Sequence, residues 1–97
     1  MSIYIFLAKW TDQGMRAVAE SPRRLDAAKK MLSDMGGRTH SFFMTMGDFD
    51  VVLIFEAPDD AVAAHFSLKL GQAGYVRTQT LKAFPEQAYR EIIASLG

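Results

Sequence analysis

Asp48 and Asp50 stand two apart beside Gly47, so on an extended chain their carboxylates point to one side and could share a proton or a cation. Two carboxylates are too few for a hard metal ion unless other oxygens join them. The structural alternative has Asp48 shaping a turn and Asp50 accepting nearby backbone N–H groups. His65, next to apolar Phe66, carries the side chain best suited to moving protons near neutral pH. His65 and Asp50 are therefore the catalytic candidates, against a second reading of His65 as a helix-flank residue in solvent. Trp10-Thr11-Asp12 sets an indole beside a hydroxyl and a carboxylate, suited to the lip of an apolar pocket with a few fixed polar groups. Equally, Trp10 can be a core anchor and Thr11 or Asp12 a helix cap. Arg77 shares a strand face with Gln79 and could hold a carboxylate through two hydrogen bonds, or pair internally with Asp50 or Glu56. With Phe49 from the central turn, the candidate ligand border is Trp10, Thr11, Asp12, Phe49 and Arg77.

Several chemistries lack their residues. There is no cysteine, which removes disulfides, thiolate catalysis and thiolate-bound zinc. His40 and His65 have no ligand-like spacing, so no metal is expected, and His40 is read as structural. No Gly-rich phosphate loop, Gly-x-Ser-x-Gly elbow or His-Glu-x-x-His helix is present, and no cofactor is implied. Eleven basic and eleven acidic residues balance to zero, which argues against a nucleic-acid partner. The basic pairs Arg23-Arg24 and Lys29-Lys30 fit one solvated helix face. The apolar run Ile3 to Ala8 is too short for a membrane span or a signal core and has no basic region ahead of it. A soluble, cytoplasmic protein with no membrane partner is expected. Its 97 residues, 49% of them hydrophobic, suit a single domain over residues 1–97.

The elements that would position these side chains are legible. Residues 3–10, rich in β-branched and aromatic types, favour a strand. Residues 12–35 predict one helix broken near Ser21-Pro22, with Leu25, Ala28, Leu32 and Met35 at helical spacing and Gly36-Gly37 as the stop. A second strand runs from Arg38 to Met46, with Phe42, Met44 and Met46 on one face. Gly47-Asp48 turns the chain into a third strand, 50–55, apolar on both faces. Pro58-Asp59-Asp60 starts a helix with Val62, Phe66, Leu70 and Ala73 as its buried stripe, ended by Gly74. A strand over 76–83 follows. A short helix after Phe84-Pro85 then carries Tyr89, Ile92, Ile93 and Leu96 along one edge. The order β-α-β-β-α-β predicts an α+β, ferredoxin-like fold: a four-stranded antiparallel sheet with two helices on one face, plus a terminal helix.

Two helices cover one face of such a sheet, yet the strands are apolar on both. Tyr4, Phe6, Val52, Ile54, Phe42 and Met44 are expected on the uncovered side, a patch larger than monomers normally expose. At roughly 1.5–3 kcal/mol per large side chain buried, six such residues per copy suffice for a homodimer by sheet-on-sheet contact. The six methionines, four of them within residues 31–46, supply an adaptable core or pocket lining.

Leu7 to Gly14, Ser21-Pro22-Arg23-Arg24, Met46 to Asp50 and Val76 to Phe84 together resemble the GYD-domain family, small bacterial proteins named for a Gly-Tyr-Asp motif in the central hairpin. Here Gly47-Asp48-Phe49-Asp50 puts Phe where Tyr would stand, with one residue inserted after Gly, so the phenol hydroxyl is missing. The resemblance implies a dimeric α+β barrel. The hairpin is also similar to one in the ligand-sensing domains of feast/famine transcription regulators, although no helix-turn-helix segment is present. Cofactor-independent antibiotic-biosynthesis monooxygenases are similar in fold, which alone transfers no chemistry. Three functions follow as expectations: a small-molecule-binding, ligand-sensing module; a cofactor-independent monooxygenase or isomerase for an aromatic or enolic substrate, with His65 or Asp50 taking a proton; or an assembly subunit without ligand.

Overall fold

The computed structural model describes residues 1–97. Strand β1 (Ser2–Trp10) leads into a short helix α1 (Asp12–Arg16), a single 3₁₀ turn (Val18–Glu20) and helix α2 (Ser21–Asp34). Strands β2 (Arg38–Met44) and β3 (Val51–Ala57) form the central hairpin, followed by helix α3 (Asp60–Gln72), strand β4 (Val76–Ala83) and helix α4 (Glu86–Ala94). The sheet is antiparallel in the order β2-β3-β1-β4, the ferredoxin-like arrangement.

Local chemistry accounts for the element ends. Thr11 caps α1, its Oγ1 accepting from the Gly14 amide at 3.0 Å, and Asp59 caps α3 by accepting from the Val62 amide at 2.9 Å. The expected helix over 12–35 is interrupted before Ser21-Pro22: Ala17, at φ −107° and ψ 25°, leaves helical geometry, so 12–20 becomes one helical turn and a 3₁₀ turn. Gly36, at φ +88°, makes the left-handed exit from α2. The hairpin strands are shifted from expectation. β2 stops at Met44, because Thr45 turns to the loop, its amide donating to Asp50 O and its hydroxyl to Phe49 O. β3 runs on to Ala57.

The register decides which apolar face meets the helices. Tyr4 pairs with Phe55 and Phe6 with Leu53, so these four share one face. There they are buried with Ala8, Ala57, Ala28 and Leu32 of α2, and Ala63 and Phe66 of α3. Phe55 and Phe66 meet edge to face with centroids 5.1 Å apart, and Phe55 stacks on Tyr4 at 5.3 Å. This corrects the assignment of Tyr4, Phe6, Phe42 and Met44 to the uncovered side, since Phe42 and Met44 pair with Leu53 and Val51 on the covered face. Alternation separates two faces of a strand but does not say which receives the helices when both are apolar. The uncovered face instead carries Ile3, Ile5, Leu7, Val52 and Ile54, flanked by Phe43 opposite Val52 and Leu81 opposite Ile5. Phe43 and Leu81 are 56% and 41% exposed. No helix is long and apolar enough to cross a membrane.

Candidate functional site

A cleft of about 440 Å³ opens between α2, α3 and the helix-covered face of the sheet. That volume lies in the range of small-molecule sites. Fourteen of its 17 lining residues are hydrophobic. β1 supplies Phe6, Ala8 and Trp10; the hairpin strands supply Phe42, Met44, Val51 and Leu53; α2 supplies Leu25 and Ala28; Leu70, Tyr75 and Val76 close the far side. No carboxylate or imidazole lines it. Its polar groups are Ser21, the Tyr75 phenol and Arg24.

Arg24 is set over the Tyr75 ring, its guanidinium carbon 4.2 Å from the centroid, and Nη1 donates to Ala17 O at 3.1 Å. Nη2 is buried and has no hydrogen-bond partner. Arg24 thus departs from the solvated face expected for Arg23-Arg24: Arg23 pairs loosely with Glu20 on the surface, whereas Arg24 turns inward. The signal was present in the spacing. Arg24, Ala28 and Leu32 are four apart, so a cation stands on the buried stripe of α2.

A family model described as the GYD domain matches residues 4–93. The chain belongs to the GYD-domain family. It is also similar to a Thermus thermophilus protein named glutamine synthetase and cystathionine beta-lyase binding protein, with 34% identity over 86 residues, 88% of this chain and 90% of that one.

In this GYD domain the residues singled out by sequence are dispersed around the cleft rather than gathered in it. Trp10 lines it. Thr11 sits at the junction of β1 and α1, where its hydroxyl donates to Gly74 O at 2.6 Å besides capping α1. Asp12 is exposed in the first turn of α1. Asp50 binds the hairpin to β1: its amide donates to Ala8 O at 2.9 Å, and its Oδ2 accepts from the Trp10 amide at 2.9 Å. Phe49 lies beneath the Lys9 ammonium, 5.4 Å from the ring centroid. His65 and Arg77 share a shallow polar groove between α3 and β4 with Lys69 and Gln72, apart from the cleft. Asp48 is exposed in the turn. No group of three or more His, Asp and Glu side chains is placed to hold a metal ion.

Two polar clusters sit at the same end of the sheet, on opposite faces. On the open face, Glu56 accepts from Arg38 Nε at 2.7 Å and lies 2.5 Å from His40 Nε2; these hydrogen bonds, Arg38 first, hold its carboxyl below the usual range. Near the N-terminus of α3, the Tyr4 hydroxyl donates to Asp60 at 2.5 Å and Lys82 pairs with the same carboxylate. Burial raises the Tyr4 phenol, and its hydrogen bond to Asp60 adds to this; that bond, followed by the one from Lys82, lowers Asp60.

Proposed function

We propose that this protein is a binding protein rather than a catalyst. It holds a small, largely apolar molecule between its helices and sheet, and docks on metabolic enzymes of the kind named for its relative, such as glutamine synthetase or cystathionine beta-lyase. The observation that carries the small-molecule half is the cleft of about 440 Å³ with 14 hydrophobic residues among 17. Such a cavity loses dispersion contacts when empty, and an apolar ligand would restore them. Support for the enzyme-docking half comes from the 34% identical relative and its name. A proton-transferring reading draws no support from the cleft, because its lining offers neither carboxylate nor imidazole. The working form is a homodimer joined through the open sheet faces, in the cytoplasm, where enzymes of this kind are met.

Native mass spectrometry of the purified protein, followed by binding measurements on the two purified enzymes, tests this function. A multimer carrying extra mass that is lost on denaturation, together with saturable binding to either enzyme, is the expected result. Bare chains that bind neither enzyme would overturn it.

A further inference from the structure

We propose that the cleft selects a monoanionic ligand, an apolar or aromatic body bearing one carboxylate, and that the Arg24 guanidinium anchors the carboxylate. The proposal rests on the cleft being a ligand site, as argued above. A buried guanidinium nitrogen without a partner is costly, and buried polar groups are ordinarily satisfied. Arg24 forms no salt bridge, and no acid lines the cleft with it. The protein therefore supplies one positive charge there without a negative one.

Its neighbours hold that charge in place. Contact with the Tyr75 ring and the bond from Nη1 to the Ala17 carbonyl hold the guanidinium at the cleft wall, with Nε and Nη2 free of protein partners. A carboxylate accepts such a donor in a short charge-assisted bond, and the Ser21 hydroxyl lies in the same lining. A phosphate dianion fits less well, because its second charge would be left in an apolar wall with no counterion. The rest of the lining is hydrophobic and selects the body. At roughly 30 Å³ for each water-sized group, the volume has room for about fifteen such groups, the scale of a medium-chain or aryl-substituted acid.

Trp10 is the sole tryptophan and lines the cleft, so its fluorescence reports occupancy. Octanoate and octan-1-ol are the probes, matched in chain length and differing in the headgroup. Octanoate should shift the Trp10 emission saturably and bind about tenfold tighter than octanol or better, the scale of one charge-assisted bond. Arg24→Gln, checked for native circular dichroism, should weaken octanoate to the level of octanol and leave octanol unchanged. Equal affinity of the two probes for the unmodified protein would overturn the anionic ligand and leave the cleft as a neutral apolar site. A preference that survives Arg24→Gln would overturn the role of Arg24. Silence from both probes up to millimolar concentration would remove the ligand site itself, and the inference with it.

Discussion

Glu56 shows how a single side chain ties position to measurable chemistry. It ends the open face of the sheet opposite Arg38, with His40 as its second partner. Both hydrogen bonds favour the carboxylate, so its folded pKa lies below its unfolded one. A lowered pKa contributes stability that is fully present above the ordinary carboxylate range and is lost as pH falls through the folded value. The urea midpoint of the wild-type protein should therefore exceed that of Glu56→Gln near neutral pH, and the gap should narrow as pH falls below the ordinary carboxylate range. A gap that stays constant over this range would show that the ion cluster contributes nothing. Arg24 belongs to the same scale. Its neighbour in sequence is solvated while it is turned inward, and composition treats the two alike.

Among the elements, the junction of β1, α1 and the turn before β4 depends on close backbone approach. A Cβ on Gly14 would stand 2.0 Å from Tyr75 O and 2.9 Å from its carbonyl carbon, both backbone atoms with no freedom to swing away. Thr11 stitches the same contact, its amide donating to Tyr75 O at 3.1 Å. Gly14→Ala should therefore push α1 off Tyr75, costing about 1–3 kcal/mol as overpacking does, and should alter Trp10 emission because Tyr75 and Trp10 line one cleft. Gly71, in the C-terminal part of α3, meets nothing within 4 Å. Gly71→Ala should stabilise the protein by about 0.5–1 kcal/mol. Denaturant unfolding of the two variants side by side separates steric from helix-propensity effects; equal outcomes would contradict this account of Gly14.

For the whole molecule, the dominant feature is apolar surface without a partner inside the chain. The open sheet face presents Ile3, Ile5, Leu7, Val52 and Ile54 in adjacent registers, and α4 buries none of its residues, with Tyr89, Ile92 and Ile93 roughly half exposed. A second copy meeting this face would bury like against like about a two-fold axis, the commonest way a chain of this size closes its surface. Native mass spectrometry at micromolar concentration should give a dimer. Ile5→Asp, at the centre of the face and outside the helix-covered core, should give a folded monomer. A monomeric wild-type protein would remove the dimer, and a dimeric Ile5→Asp would move the interface to α4.

Sequence alone determined the element order, the α+β class, the family, and the presence of more apolar strand surface than two helices cover. Those properties follow from local periodicity, caps and turn residues, each readable within a few positions. It left Trp10 open between the lip of an apolar pocket and a core anchor. Three-dimensional structure decided the rest. Which apolar face became the core depended on β1–β3 register, so Tyr4 and Phe6 went inward and Ile3 and Ile5 outward. The fate of the polar candidates depended on which backbone groups came near: Asp50 met the Trp10 amide, Thr11 met Gly74 O, and His65 and Arg77 came together beyond the edge of the cleft. The residue most suggestive of a ligand, Arg24, gains its meaning from Tyr75 and Ala17, which are 51 and seven positions away in sequence. Hydrogen bonding and desolvation act between atoms brought within a few ångströms, and for such distant pairs only the folded chain sets that distance.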